Sequence, residues 1–372
     1  MSYSILIITN HRKGRSPAQR FRFEQYLDFL EANNFKITFS NILTKEDDFY
    51  LYQKGQYLKK ALIAKSARNI RKQDVKRMNE FDIIFVHREA LLTASTYFER
   101  KFAKSTAKVV FDFDDAIWLP NVSSGNKALQ MLKNPSKTED IINCADMVFA
   151  GNAYLAEYAS SFCKNVKVIP TTIDTEYHKR KKQNTSERIC IGWTGTETTR
   201  KYLEMVKPVF QKLTSKYGNK IYFKVICDQP WHAEGIELKN EMWKKQTEIE
   251  QLEEIDIGVM PLTDDQWSRG KCGFKGLQYM SMESATIMSP VGVNTDIVSH
   301  GENGFLASSE EDWYEQLSTL IENKELRLQI GKAGRKTIEE KYSVTATKDL
   351  YLKFLNELID GYERDCTEQS SH

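Results

Sequence analysis

Residues 269–276 combine three cations with three glycines, a composition suited to holding an anion. Arg269, Lys271 and Lys275 lie close together at a predicted helix start, where free backbone N–H groups and the helix dipole already favour negative charge. The glycines let the backbone approach a ligand that a Cβ atom would hold off. The segment therefore predicts a diphosphate site, and a charged surface loop before an ordinary helix is the alternative interpretation.

A second set of groups that could do chemistry is the carboxylate series Asp112, Asp114 and Asp115. Like charges so close together repel unless something compensates them. His87 ends the preceding predicted strand, and parallel strands open at the same carboxyl edge of a sheet, where ligands bind. Alternation along a strand places Asp112 and Asp114 on one face and Asp115 on the other. His87 is either a site residue or a satisfied core histidine.

Short, nearly continuous apolar runs predict buried parallel strands in both halves of the chain. In the first half, a helix is predicted from Ala18 to Asn33, between two of these strands. A polar, basic stretch at 176–188 is predicted to be a linker, and the strand pattern begins again at Ile189. The predicted strands are 4–9, 35–40, 82–87, 108–115, 147–150, 166–169, 189–194, 221–227, 255–260 and 286–289.

These elements predict an α/β protein with two tandem Rossmann-like, doubly wound units. The predicted domains are 1–175 and 189–342, joined by the linker at 176–188. An amphipathic helix at 343–366 is predicted as the last element, and residues 367–372 are predicted to be disordered.

Composition excludes several classes of function. The chain has 372 residues and a formal net charge of +2, from 53 basic and 51 acidic residues, so no global field points to nucleic acid. The six cysteines show no metal-binding spacing, and a reducing cytoplasm is expected rather than a zinc site or a disulfide framework. No signal peptide or membrane span is recognisable, so the prediction is a cytoplasmic protein.

Residues 54–77 differ from the rest of the chain in charge. They hold nine Lys or Arg residues against one acid, Asp74, with Tyr57, Leu58, Leu62 and Ile63 among them. One interpretation is a solvated helix that packs on the sheet through an apolar stripe. The other is a basic face that rests on anionic lipid, which would place the protein peripherally at the inner face of the membrane.

The basic loop opens an ordered series of motifs: Lys275-x-x-Gln278-Tyr-Met, then Ser289-Pro-Val-Gly-x-Asn, then Gly301-Glu-Asn-Gly-Phe-Leu. Together these motifs resemble the donor-binding half of the GT-B glycosyltransferases, specifically the large retaining family four, or group 1. Each motif alone would be weak evidence, but the series is specific.

The resemblance extends over the whole chain. Residues 145–152 resemble the strand that ends the family's first domain, and residues 168–174 resemble its entry to the linker. The resemblance implies two domains facing a cleft, and a last helix that braces the first domain. It implies transfer of a sugar, as in hexosyltransferases, from a nucleotide-diphosphate sugar to a hydroxyl of a glycan or lipid-linked glycan, with retained configuration. Surface glycan or polysaccharide synthesis is the implied setting, and no metal ion or cofactor is implied.

By resemblance, the second domain binds the donor and the first binds the acceptor. Arg269, Lys271 and Lys275 would neutralise charge on the leaving diphosphate, and Gln278 would hold the ribose. Asp114 would act in the chemical step, and His87 would position substrate beside it. The predicted site residues are Asp114 and His87 for catalysis and Gly195, Thr196, Arg269, Lys271, Gly273, Phe274, Lys275, Gln278, Ser289, Gly292 and Asn294 for donor binding.

The chain also departs from the family. Two glutamates that the family carries eight positions apart fall here on Gly270 and Gln278. This leaves open a nucleotide-sugar-binding partner protein that has lost catalysis. A third hypothesis is a GT-A type transferase, in which Asp112 and Asp114 would hold a divalent cation on the donor diphosphate. A second βα set after residue 189 favours GT-B, because a GT-A enzyme has one nucleotide-binding domain.

Overall fold

The computed structural model describes residues 2–53, 55–119, 134, 136–182 and 186–369, the last nine of these without their side chains. Three predicted segments contain residues that lie outside the described residues. These are Lys54 in the basic segment, residues 183–185 in the linker and residues 370–372 in the predicted disordered end. The chain divides into two compact units, one of residues 1–170 with 347–372 and the other of residues 171–346. The stretch predicted as a linker is thereby grouped with the second unit.

The first unit contains a six-stranded parallel sheet with the order β2-β1-β3-β4-β5-β6. The inner strands of this sheet are mostly buried because their sequences are nearly continuous apolar runs, as expected for a sheet covered on both faces, whereas the two edge strands are mostly half-buried or exposed. The register of β3 and β4 sets His87 opposite Asp112. The strands are β1 (Tyr3–Thr9), β2 (Phe35–Asn41), β3 (Ile83–His87), β4 (Lys108–Phe113), β5 (Met147–Ala150) and β6 (Val166–Val168).

The helix predicted at 18–33 is interrupted in the structure, so that prediction is wrong. Residues 21–24 are all buried, and four consecutive side chains cannot lie on one face of a continuous helix. Arg22 in particular is directed into the interior, where it meets Asp112. The helices of the first unit are α1 (Pro17–Arg20), α2 (Leu27–Ala32), α3 (Lys45–Leu51), α4 (Tyr57–Arg77), α5 (Tyr97–Phe102), α6 (Lys137–Ile142) and α7 (Ala153–Ser160).

The long basic helix α4 packs through a narrow stripe that is only half apolar. Its buried residues are Ile63, Ala67, Arg71 and Asp74, a spacing that follows one helix face. Arg71 and Asp74 form an ion pair of 2.9 Å inside this contact, and Arg71 also donates to the backbone carbonyl of Thr9 at 2.5 Å. The buried stripe therefore includes a charge pair, which the sequence did not reveal.

The second unit contains another six-stranded parallel sheet, with the order β12-β11-β10-β7-β8-β9. The short strands β9 and β12 were not predicted. Its strands are β7 (Ile189–Thr194), β8 (Ile221–Cys227), β9 (Leu238–Met242), β10 (Ile257–Met260), β11 (Ala285–Met288) and β12 (Phe305–Leu306). Its helices are α8 (Glu197–Arg200), α9 (Leu203–Tyr217), α10 (Glu248–Glu253), α11 (Gln266–Arg269), α12 (Phe274–Ser281), α13 (Asn294–Ile297), α14 (Glu310–Glu322) and α15 (Lys324–Thr337).

The last helix, α16 (Val344–Gln369), returns the chain to the first unit, which it rejoins at Thr347. Tyr351 is fully buried there, and its hydroxyl donates to the backbone carbonyl of Arg22 at 2.6 Å. The hydroxyl of Tyr26 lies 2.6 Å from that of Thr347. These contacts make α16 part of the core of the first unit. Among the described helices, none is both long enough and apolar enough to cross a membrane.

Candidate functional site

The carboxyl ends of β7, β10 and β11 are neighbours in the second sheet. The loops that follow these strands therefore meet at one edge, the position at which doubly wound folds bind ligands. The loop after β10 leads through α11 to the basic segment and α12. The side-chain oxygen of Ser289, just after β11, accepts a hydrogen bond from the backbone N–H of Leu262 at 2.9 Å. The turn after β11 is thus joined directly to the loop that leads to the basic segment.

Two glycines allow this close approach of backbone. Gly292 has a φ of 55°, and a Cβ atom there would lie 2.6 Å from the carbonyl oxygen of Arg269. Gly273 precedes α12 with a φ of 68°, and a Cβ atom there would collide with the side chain of Ile297. Both positions lie in the left-handed region, which favours glycine. The turn after β11 consequently packs against the basic loop.

The three predicted cations take different positions around α12. Lys275 lies in its first turn, half-buried, with Nζ 5.9 Å from the ring centroid of Trp193. Lys271 is also half-buried, with Nζ 5.4 Å from the ring centroid of Trp267. Arg269 is more exposed and donates to the carboxylate of Asp264 at 2.6 Å. Lys271 and Lys275 therefore flank the helix start, whereas Arg269 is paired on the surface.

Some predicted donor residues use their side chains inside the protein. Asn294 is fully buried and donates from its side-chain amide to the backbone carbonyl of Ser289 at 2.9 Å. Gln278 is 3 % exposed, and its amide nitrogen lies 3.4 Å from a carboxylate oxygen of Glu248, a buried acid that the sequence did not single out. Contact between Gln278 and a ribose stays a prediction. Near the end of β7, Gly195 is half-buried and Thr196 is exposed, and Phe274 is half-buried at the start of α12.

Tyr279 fixes α12 against the end of β7. Its hydroxyl accepts a hydrogen bond from the backbone N–H of Thr194 at 2.7 Å, and burial raises its pKa. Gly258 in β10 makes room for the ring, because a Cβ atom at this position would collide with it. The helix that carries Lys275 is thereby held against the strand that leads to Gly195.

In the first unit, His87 belongs to a buried charge network. Its Nδ1 lies 2.9 Å from Asp112 Oδ2, and Arg22 reaches Asp112 Oδ1 at 2.5 Å. Burial by itself would raise the pKa of Asp112, but the charge of Arg22 and the hydrogen bond with His87 hold it below its usual value. Within the described part of the chain, His87 Nε2 has no hydrogen-bond partner. Arg22 was not among the predicted site residues. Its side chain points into the interior because the predicted helix is interrupted there, and the sequence did not reveal this interruption.

Arg88 organises the carboxylates at the end of β4. Its guanidinium donates to Asp114 and to Asp115, each at 2.6 Å. Its partial burial alone would lower the pKa of Arg88, but these two carboxylates hold the pKa above its usual value. The prediction that Asp114 and Asp115 lie on opposite faces is wrong, since β4 ends at Phe113 and strand alternation ends with it. Arg88 has a φ of 62°, unusual for a residue with a side chain and frequent at functional sites.

This geometry also bears on the metal hypothesis. Asp112 is held by Arg22 and His87, whereas Asp114 is held by Arg88. Each acid is thus already held by its own cationic partner, and the described part of the chain contains no group of three or more His, Cys, Asp or Glu side chains that could hold a metal ion. The second doubly wound sheet further separates this fold from the single nucleotide-binding domain of a GT-A enzyme.

The fold is similar to those of solved glycosyltransferases over nearly the full chain. HepE from Anabaena, solved in complex with UDP, is 12 % identical with a TM-score of 0.62, covering 95 % of this chain and 100 % of that one. Sucrose-phosphate synthase from Thermosynechococcus elongatus is 10 % identical with a TM-score of 0.68, covering 96 % and 100 %. A glycosyltransferase from Rickettsia africae is 14 % identical with a TM-score of 0.66, covering 96 % and 99 %. These structural similarities show that this chain has the GT-B fold.

A family model matches part of the second unit. Residues 189–323 match the family model described as Glycosyl transferases group 1, a segment that contains every predicted donor residue. No curated protein matches the sequence. The resemblance found in the motifs of residues 275–306 is confirmed by this match.

Proposed function

We infer that the protein transfers a sugar from a nucleotide-diphosphate sugar to a hydroxyl acceptor. The observation that carries this inference is the junction of the basic loop, the start of α12 and the turn after β11, held together by Gly292 and Ser289. Backbone N–H groups at the helix start and the ammonium groups of Lys271 and Lys275 would meet the diphosphate there. These cations would stabilise the charge that develops as the diphosphate leaves.

The transfer would retain the anomeric configuration and use a hexose, as the motif resemblance implies. HepE has been solved with UDP-glucose, so UDP-glucose is the first donor to test for this chain. A glycan or lipid-linked glycan acceptor would bind at the carboxyl edge of the first sheet, near His87 and Asp114. Synthesis of a surface polysaccharide in the cytoplasm is the setting that we propose.

The test is release of UDP from UDP-glucose and other nucleotide sugars, measured with a panel of glycan acceptors and in the presence of EDTA. Turnover is expected to continue in EDTA, because protein cations and helix amides serve the diphosphate. Turnover that EDTA abolishes and Mn²⁺ restores would contradict the metal-free assignment. Tight nucleotide binding without turnover for any donor would instead favour the partner protein that has lost catalysis.

Asp114→Asn is expected to lower turnover by about tenfold or more while nucleotide affinity stays nearly unchanged. A carboxylate beside the acceptor can bind the attacking hydroxyl or balance charge on the sugar, and such a role is felt mainly in the transition state. Steady-state kinetics and calorimetry with UDP measure the two quantities. Asp115→Asn is the matched control, because it also removes a partner of Arg88. Full activity in folded Asp114→Asn protein would remove this residue from the chemistry.

Helix α4 supports the proposal that the protein rests on anionic membranes. The expectation that its apolar residues form the packing stripe is wrong for three of them, since Tyr57, Leu58 and Leu62 are 75, 84 and 61 % exposed. Exposed basic residues alternate with them, among them Lys59 and Lys65. An apolar surface edged by cations suits a bilayer with anionic head groups, which attracts each cation by about 1 kcal/mol.

Vesicle co-sedimentation tests this surface. Binding is expected to be stronger for anionic than for neutral vesicles and to weaken as salt is raised, because screening removes the charge term. Lys59→Gln/Lys65→Gln should reduce it. Lys36→Gln/Lys104→Gln should not, because it removes two exposed charges outside α4, one near the amino end of β2 and one before β4. Equal binding to neutral and anionic vesicles would show that α4 is only a solvated helix.

A further inference from the structure

The loop between β1 and α1 is a rigid, basic loop at the carboxyl edge of the first sheet. The backbone N–H of Gly14 donates to the carboxylate of Glu24 at 2.7 Å. The buried side chain of Gln19 binds both the N–H and the carbonyl of His11, at 3.1 and 3.0 Å. Buried polar groups therefore fix the backbone of a loop whose own side chains are charged. A loop fixed in this way presents its cations in a defined geometry.

Two guanidinium groups of this loop share one carboxylate oxygen. Arg12 and Arg15 donate to Asp48 Oδ2 at 2.6 and 3.2 Å. Their side chains are 33 and 41 % exposed, whereas that of Asp48 is 9 % exposed. His11 also faces Asp48, and burial lowers its pKa although Asp48 opposes the change, so it adds no charge at neutral pH. Two positive charges consequently meet one negative charge.

We propose that Arg12 and Arg15 bind a phosphate group carried by the acceptor. A guanidinium presents five donors in a planar fork that matches phosphate oxygens, and each of these two uses one of its donors on Asp48. The surplus charge lies at the edge of a parallel sheet where ligands bind. The site belongs to the first unit, whereas the basic loop before α12 belongs to the second unit. The assignment to the acceptor, though not phosphate binding itself, rests on the proposed function.

Helix α3 connects this site to the exposed apolar surface of the first unit. Asp48 lies in α3, and its neighbour Phe49 is 62 % exposed. Tyr52, which follows α3, is 50 % exposed, and its hydroxyl lies 3.4 Å from His11 Nε2. A phosphate at Arg12 and Arg15 would thus lie next to aromatic side chains that can rest on lipid. Both a lipid head group and a free phosphorylated acceptor offer the same phosphate chemistry.

Calorimetry with inorganic phosphate tests the site in the full-length protein. The background variant is Lys271→Ala/Lys275→Ala, which removes cations of the donor site. Adding Arg12→Gln/Arg15→Gln is expected to weaken phosphate binding at least about tenfold, the effect of losing one charge-assisted hydrogen bond. Adding Asp48→Asn is expected to tighten it, because both guanidinium groups lose their competing carboxylate. Circular dichroism confirms that each variant is folded.

Lys36→Gln/Lys104→Gln in the same background is the matched control for net charge, and phosphate binding is expected to be unchanged. Equal weakening by both pairs of substitutions would overturn the proposal, because the effect would then be non-specific. The proposal would also be overturned if the background variant did not bind phosphate, or if Asp48→Asn weakened phosphate binding. Nucleotide release from UDP-glucose by the unaltered protein tests the proposed function separately, so either can fail alone.

Vesicles distinguish the two sources of phosphate. Phosphatidylcholine vesicles containing phosphatidic acid, a phosphomonoester, are compared with vesicles containing phosphatidylglycerol at the same molar fraction. A lipid-borne phosphate predicts stronger binding to phosphatidic acid and loss of this excess in Arg12→Gln/Arg15→Gln protein. Equal binding to both lipids, with calorimetric phosphate binding intact, assigns the site to a free phosphorylated acceptor.

Discussion

Asp112→Asn is expected to lower the free energy of unfolding of the first unit by about 3–5 kcal/mol, the usual cost of leaving one member of a buried ion pair without its partner. Asp112 and Arg22 are both fully buried, and their closest contact is 2.5 Å. Arg22 also donates to the backbone carbonyl of Ile169, so it cannot turn towards solvent without further losses. Urea denaturation followed by circular dichroism measures the effect.

Asp114→Asn is the matched control for this stability change. Asp114 is also paired with an arginine, but its side chain is 14 % exposed and that of Arg88 is 30 % exposed. Exposed or partly exposed ion pairs contribute about 1 kcal/mol or less, so the loss should be much smaller. Equal losses in the two variants would show that burial does not set the energy of the Asp112 network.

The same network predicts a dependence on pH. The pKa of Asp112 is lower in the folded protein than its ordinary value of 3.8. Ionised Asp112 therefore stabilises the fold above pH 3.8, and this contribution is lost as the pH falls through the folded-state pKa. The stability difference between the natural protein and Asp112→Asn should shrink below pH 3.8. A difference that stays constant there would contradict the lowered pKa.

Lys275→Ala is expected to weaken the binding of UDP by about 1.5–3 kcal/mol, the range for losing a hydrogen bond to a charged group. Lys275 lies in the first turn of α12, which Tyr279 anchors to the end of β7. Lys275 therefore lies in the same anchored helix turn as the backbone amides that would meet the diphosphate. Titration calorimetry measures the change in affinity.

Lys332→Ala is the matched control for this affinity change. Lys332 is an exposed lysine on α15, in the same unit and also within a helix. It should leave UDP affinity unchanged, because the neighbouring Gly331 packs on Glu283, beyond the carboxyl end of α12 and away from the helix start that carries Lys275. Unchanged affinity in Lys275→Ala protein would remove Lys275 from the donor site, and equal weakening in both variants would indicate a general charge effect.

The sequence predicted those parts of the fold that depend on local patterns. Buried strands such as Ile83–His87 were found because their apolar runs are continuous. The break at Arg22 was missed because it depends on Asp112, which lies 90 residues further along the chain. The strand Leu238–Met242 was missed because three of its five residues are polar and none is buried, so it lacks the apolar run that marks a buried strand.

The candidate site shows the same limit. The cations and glycines of the donor loop could be found from their types and spacing. The need for glycine at position 292 could not, because it arises from the backbone of Arg269. Alternation suggested that Asp114 and Asp115 diverge, but Arg88 draws them together beyond the end of the strand. Contacts between distant segments decide these details, and periodicity carries no information about them.

The return of α16 to the first unit has a consequence for biosynthesis. A ribosome makes residues 171–346 before it makes the helix that carries Tyr351, Leu355 and Leu358, all of which are buried. The first unit cannot close its core until this final segment leaves the exit tunnel, whereas the second unit has its complete sequence earlier. Synthesis of the first unit begins first, but this unit would be the last to finish folding. A transcript truncated before codon 347 would encode a first unit that lacks part of its core.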